Sequence, residues 1–310
     1  MTNLIPVKDI KVRKGMTVDE LLAEMSSSGG FTSKKLADAT DIAEKMIKSK
    51  KCVRFLSFPA CIISTGTRGV IVDMVKNDMV DIIITTCGTL DHDLSRTWKS
   101  YYHGDFMMDD AQLRHEGISR LGNVLVPDEC YGEVLEEKLA PMFEEIFKDT
   151  KSLATHEIID AIGARIDNED SLLHWCHKKK VPIFVPGITD GSFGCQLWMY
   201  YQMHRDLRID LFKDEQELNS LTDKAGETGA IIIGGGISKH HVIWWNQFRG
   251  GLDYAIYLTT AQEFDGSLSG AQVREAVSWG KVKENADTVT VEGDATISLP
   301  VIVAGLMNRM

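Results

Sequence analysis

About 50 residues into the chain, the spacing of apolar positions changes. Before that point they recur at helical intervals. Thr17 opens "TVDELLAEM" with Glu20 three residues later, a pairing that caps a helix start. "SSSGGF" interrupts this helix and "KKLADATDIAEKMIKSK" resumes the helical spacing, so residues 1–50 read as an N-terminal helical arm. Beyond it come short continuous apolar runs: "CVRFLSF", "VDIIITTCG", "VPIFVPG", "AIIIGGG" and "DYAIYLTTA". Each ends in turn residues and leads into a helical stretch, the amphipathic "TRGVIVDMVKNDM" being the first. Strands covered on both faces show continuous apolar runs, and alternation with helices requires crossover connections. The pattern therefore predicts a mainly parallel sheet with helices on both faces. No low-complexity linker or fixed-period repeat breaks residues 51–310, which read as one α/β domain.

In such a fold, ligands bind outside the carboxyl ends of the strands. The segments there are "PACIISTGTRG" (59–69), "TTCGTLDHD" (85–93), "GITDGSFGCQ" (187–196), "GGGISKHH" (234–241) and "TTAQEFDGSLSG" (259–270). Their density of Gly, Ser, Thr, Asp and His marks them as the place to look for a site.

Composition narrows the choice. The chain has 310 residues, 44% hydrophobic and 25% charged, enough to bury a sizeable core. With 34 Lys and Arg against 45 Asp and Glu, its net charge of -11 argues against nucleic acid and is compatible with a cationic substrate. The six cysteines form no CxxC pair, which fits a reducing compartment. No apolar leader and no run of about 18 apolar residues occurs, so a cytoplasmic protein without a membrane span is expected.

Several candidate chemistries remain open on the residues alone. "AIIIGGG" before a helix could offer backbone N–H groups to a phosphate, or be a plain strand-to-helix turn. "DHD" (91–93), "HWCH" (174–177) and "HH" (240–241) resemble metal ligands in kind but match no familiar zinc spacing, and no metal is expected. A solvated acidic loop explains the first and an exposed helix face the second. Asp265, Glu275 and Asp294 could hold a cationic ligand or be solvated turn acids. "EAVSWGK" (275–281) poses the sharpest choice. Lys281 alone reads as a surface lysine near a helix C-terminus, but a lysine desolvated beside Trp279 would be a Schiff-base nucleophile.

Taken together, "LTTAQEFDGSLSGAQVREAVSWGKV", "GGGISKHH", "TDGSFG", "TTCG", "RLGNVLVPDECY" and "EGDATISLP" resemble the deoxyhypusine synthase family, motif by motif and in the family's order. The resemblance covers nearly the whole chain from about residue 50, and the N-terminal arm is similar to the family's extension over a neighbouring subunit's site. It implies a Rossmann-like α/β fold with a helical N-terminal extension, and an NAD-dependent transfer. Spermidine is oxidised to an imine, a lysine of the enzyme takes over its aminobutyl group, and the group passes to a lysine of initiation factor 5A. By the same resemblance Lys281 is the nucleophile, His240 assists proton transfer, and Glu275 and Trp279 line the substrate slot. Asp91, His92, Cys195 and Leu268 fall at further substrate-facing positions. Ser64, Thr86, Asp190, Thr260, Ala261, Asp265, Asp294 and Ala295 match positions associated with NAD. A homotetramer with sites shared between subunits is implied.

The chain departs from the family's pattern at the substrate grip. Cys195 stands where the family carries an aspartate, in "DGSFGC" rather than "DGSLGD", and Leu268 replaces a second, in "DGSLSG" rather than "DGSDSG". His92 stands for a glutamate, Trp244 for an asparagine, and Ala60 and Cys61 for a Ser-Asn pair of the first cofactor loop. The expectation is retained lysine–imine chemistry with an altered amine donor or acceptor. Transfer to a free polyamine, as in homospermidine formation, use of agmatine, and a non-catalytic NAD-binding paralogue are the alternatives.

Overall fold

The computed structural model describes residues 4–310. Packing divides the chain into two compact units: the segment through Ser57 joins Thr222–Met310, and Phe58–Leu221 forms the other.

The first unit begins with α1 (Val18–Ser28), α2 (Phe31–Lys48) and β1 (Cys52–Phe58). The expected capping box is present. Thr17 Oγ1 accepts the Glu20 N–H at 3.2 Å, and the Glu20 carboxylate accepts the Thr17 N–H at 2.8 Å. Gly29, at φ 68°, ends α1 in the left-handed region.

The second unit follows the chain through α3 (Thr67–Lys76), β2 (Ile82–Thr85), α4 (Cys87–Trp98), β3 (Tyr102–His103), α5 (Asp110–His115), β4 (Ile118–Leu121) and β5 (Val124–Pro127). It continues with α6 (Gly132–Ile146), β6 (Ser152–Leu153), α7 (Thr155–Gly163), α8 (Leu172–Lys179), β7 (Ile183–Phe184), α9 (Ser192–Met203), β8 (Arg208–Ile209) and α10 (Leu211–Asp223). Here β2 and β7 pair in parallel, as do β6 and β8, while β3, β5 and β4 form a small antiparallel sheet. That antiparallel sheet is not announced by any long apolar run.

The chain then returns to the first unit with β9 (Glu227–Ile233), α11 (Gly236–Gln247), β10 (Leu252–Thr259), α12 (Val273–Ser278), β11 (Val282–Glu292) and α13 (Ala295–Arg309). Strands β11, β10, β9 and β1 lie side by side in that order, every neighbouring pair parallel. Ala230, Ile231, Ile232 and Ile233 of β9 are all buried, which is why "AIII" lacks the alternation of a half-solvated strand. Helix α2 approaches so closely that a Cβ on Gly229 would stand 2.7 Å from Met46 Cε. The expected α/β architecture, a mainly parallel sheet flanked by helices, is what the chain adopts. Strand β11 escapes the apolar reading because Lys283, Glu284, Asn285 and Asp287 fill its first half with charged and polar residues. Lys45 of α2 pairs with its Asp287 at 2.7 Å, and Lys35 with Glu292 at 2.7 Å.

Two expectations about local structure are corrected. "TTCGTLDHD" is not an acidic loop: from Cys87 it is helix α4, and Asp91 and Asp93 are both fully buried. Each carboxylate instead accepts from the free N–H groups at a helix start, where the helix dipole favours an anion. Asp93 takes the N–H groups of Leu172 at 2.9 Å and Leu173 at 3.0 Å, and the Ser171 hydroxyl at 2.8 Å. His174, expected on an exposed face, is buried with its Nδ1 at 2.5 Å from the Ile166 carbonyl. Among the described residues no helix is long and apolar enough to cross a membrane.

Candidate active site

The end of α12 decides where Lys281 goes. Gly280 adopts φ 67°, a backbone state that disfavours side chains bearing a Cβ. Its N–H donates to the Val277 carbonyl at 2.9 Å, and the Lys281 N–H donates to the Ala276 carbonyl at 3.0 Å. These two bonds make a Schellman turn, which reverses the chain directly into β11. Lys281 is thereby carried off the helix end and buried, 9% exposed, instead of capping the last turn in solvent. Its ammonium lies 5.4 Å from the centre of the Trp279 ring, within cation–π range.

Lys281 lines a cavity of about 410 Å³ together with His240, Trp244, Leu268, Glu275 and Trp279. His240 and Trp244, one turn apart on α11, stack with ring centres 5.8 Å apart and planes 21° from parallel. Burial, and then the nearby Lys281 charge, hold the His240 imidazole below its ordinary pKa. A neutral imidazole next to an amine can accept or return a proton. Among the described residues Glu275 is the sole carboxylate on the cavity wall, which also carries the amides of Gln247 and Gln272 and the apolar or aromatic side chains of Leu268, Trp244 and Trp279. Five of the residues expected at the chemistry or the substrate, namely Lys281, His240, Glu275, Trp279 and Leu268, thus line one cavity of the first unit.

Of the lining residues outside the sequence-predicted set, Lys239 and Tyr257 are the buried titratable ones. Both are 1% exposed, and the Lys239 ammonium sits 4.1 Å from the centre of the Tyr257 ring. The available signal was a lysine within "GISKHH", just past an apolar strand, where a side chain can turn back under the loops. Sequence alone gives no measure of its burial.

Asp91, His92 and Cys195 belong to the second unit. Asp91 is not open to a substrate there: its carboxylate accepts the Ser192 and Phe193 N–H groups at 2.9 and 2.7 Å and the Tyr131 hydroxyl at 2.7 Å. It anchors the start of α9, and burial raises its pKa despite these bonds. His92 lines a separate cavity of about 570 Å³ with Tyr131, Glu133 and Glu136. Burial, aided by the Arg96 charge, pushes its pKa down to about 4, and its Nδ1 lies 2.9 Å from the Tyr101 hydroxyl. Cys195 is an exposed free thiol in the first turn of α9.

The residues expected at a dinucleotide stand at strand ends of both units. In the second unit the Ser64 hydroxyl is buried and donates to the Cys61 carbonyl at 2.7 Å. Thr86 Oγ1 accepts the Ala60 N–H at 3.2 Å, and Asp190 is exposed. In the first unit Thr260 is exposed and the Ala261 N–H is held by Thr259 Oγ1 at 3.1 Å. Asp265 is exposed, and its bonds to Ser267 draw its pKa down. Asp294 caps α13 by accepting the Thr296 N–H at 2.9 Å, and Ala295 is buried behind it. Helix α11 starts at Gly236 with no side chain bonded to its free N–H groups, and a Cβ there would meet nothing within 4 Å. An uncapped helix start just past a parallel strand fits a phosphate of a dinucleotide, whereas both Asp294 carboxylate oxygens are engaged by Thr296, the second accepting its hydroxyl at 2.8 Å. Among the described residues no three His, Cys, Asp or Glu side chains are grouped to hold a metal ion.

Comparison with known proteins places the chain. The family model of deoxyhypusine synthase matches residues 20–306. A probable deoxyhypusine synthase of Picrophilus torridus is 54% identical over 303 residues, covering 98% of this chain and 97% of that one. One of Thermoplasma volcanium is 54% identical over 299 residues, covering 96% of each. A crystal structure from Entamoeba histolytica, provisionally named a deoxyhypusine synthase, superposes with a TM-score of 0.68 at 21% identity over 97% of each chain.

Proposed function

The chain belongs to the deoxyhypusine synthase family, and from that premise we propose that it is an NAD-dependent transferase that moves an alkylamine group through an imine on Lys281. The observation that carries this reading is the buried Lys281 ammonium beside Trp279, with His240 and Glu275 on the same cavity wall. In the first unit the start of α11 would hold a phosphate of the dinucleotide. The chemistry that NAD would supply when bound is acceptance of a hydride from the carbon bearing the amine that departs, and its later return.

The side chains divide the remaining work. Glu275 pairs with the distal ammonium of the amine and sets how far the chain reaches into the slot. Trp279 and Trp244 exclude water along the alkyl stem. Lys281, as the neutral amine, bonds through Nζ to the activated carbon while the original amine leaves with its electron pair and a proton. His240 is placed to carry that proton. The acceptor amine then displaces Lys281 by the reverse of the same step. A lysine of initiation factor 5A is the acceptor that the family membership suggests, in a cytoplasmic homotetramer with shared sites.

Leu268 favours a second reading of the donor. With Glu275 as the only carboxylate on this wall, the slot suits an amine with one distal cation, such as a diamine or agmatine, better than a more highly charged polyamine. Incubating the protein with NAD and a panel of amines, reducing with borohydride and measuring intact mass tests both readings. A mass adduct that disappears in Lys281→Ala supports the transferase, and the amine giving it identifies the donor. Absence of an adduct with every amine overturns the enzyme reading.

A further inference from the structure

The loop between β10 and α12 is held down at three carbonyls. Thr259 Oγ1 donates to the Ser269 carbonyl at 2.9 Å, and the Lys239 ammonium donates to those of Leu268 at 2.7 Å and Ala271 at 2.9 Å. Ser269 is pressed so closely on the start of α11 that a Cβ on Gly235 would lie 2.2 Å from its Oγ. The third face of the ammonium is covered by the Tyr257 ring, which leaves Lys239 1% exposed.

A buried ammonium is an expensive way to fill space, because an unbranched apolar side chain of similar length would pack there without losing hydration. A charge retained at such a place must do something that an apolar residue cannot. Here it bonds two backbone carbonyls of one loop, on either side of the bond made by Thr259. That loop carries Leu268 on the slot wall and runs directly into α12, which carries Glu275 and ends at Trp279 and Lys281.

We propose that Lys239 is a positioning residue for this site: its ammonium clamps the Leu268–Ala271 turn and thereby fixes the wall that grips the amine. This rests on the reading of the cavity as the amine slot. Burial draws the Lys239 pKa down to about 8, opposed by the Glu275 charge, so near neutral pH the side chain is still mostly the ammonium that the clamp needs.

The test compares the wild-type protein with Lys239→Met, and with Lys239→Gln as a second variant should the first not fold. Three quantities are read: global stability, amide exchange of Gly270 and Ala271, and the amine concentration giving half-maximal trapped adduct on Lys281. The clamp predicts amide exchange at Gly270 and Ala271 faster by about tenfold or more, with exchange in β10 unchanged. It also predicts a half-maximal amine concentration raised about tenfold, with adduct yield at saturating amine within about threefold of wild type. The proposal is overturned if a folded variant shows unchanged exchange and unchanged amine dependence. It is equally overturned if exchange rises uniformly through the sheet, which is a merely structural role, or if saturating amine fails to restore the adduct, which is a role in the chemistry. Should wild-type protein form no adduct, the transferase reading falls, while the exchange pattern still decides whether Lys239 clamps the turn.

Discussion

Ala276 and Lys281 are joined by a 3.0 Å hydrogen bond from the lysine N–H to the alanine carbonyl, the outer bond of the turn that ends α12. That bond points the chain into β11 and the lysine side chain into the cavity. It works only because Gly280, at φ 67°, can take the left-handed conformation between them.

Gly280→Ala is therefore expected to strain the backbone without a steric clash, since a Cβ there meets nothing within 4 Å. The expected cost is about 1–2 kcal/mol in urea unfolding. Adduct formation on Lys281 should fall by more than the stability loss accounts for, because relieving the strain moves the nucleophile.

Replacing Lys281 by methionine removes the smaller of the two causes that depress the His240 pKa and leaves burial in place. The His240 titration, followed by NMR, should move upward toward its ordinary value without reaching it. An unchanged titration would place the Lys281 charge too far away to share a proton with His240.

Leu268→Asp would add a second carboxylate to a wall that has only Glu275. The ratio of adduct yields for spermidine over a short diamine should rise by about tenfold or more, as a charge-assisted bond to the additional ammonium becomes available. Competition between the two amines at equal concentration measures it.

Asp91→Ala leaves the Ser192 and Phe193 N–H groups and the Tyr131 hydroxyl without their acceptor. Stability should drop by about 3 kcal/mol or more, read by denaturant unfolding. Asp91→Asn keeps one oxygen at the α9 start and should recover part of it.

Lys239 also gives a pH signature. Its folded pKa of about 8 lies below the ordinary 10.5, so between these values the unfolded chain binds more protons than the folded one. Stability from this group therefore rises as pH climbs from 8 to 10.5, and below pH 8 the full burial penalty applies. Relative to Lys239→Met, the wild type should gain roughly 3 kcal/mol across that window, as measured by urea unfolding at matched pH values.

The apolar pattern along the chain was enough to specify the capped start of α1, strands β1, β9 and β10, and the parallel α/β class. Those features depend on local periodicity and on burial from both faces, which leave their mark residue by residue. The motifs likewise singled out Lys281, His240, Glu275 and Trp279, and the cavity brings these four together. Only the tertiary structure decided what happens to charge. Asp91 reads as a loop acid until α9 presents its N–H groups to it, and His174 as a surface histidine until the Ile166 carbonyl closes over it. Lys239 reads as an ordinary lysine until the loop ending at Ala271 folds back onto its ammonium. The burial of a charged group depends on partners distant in sequence, and no periodicity in its own neighbourhood reports them.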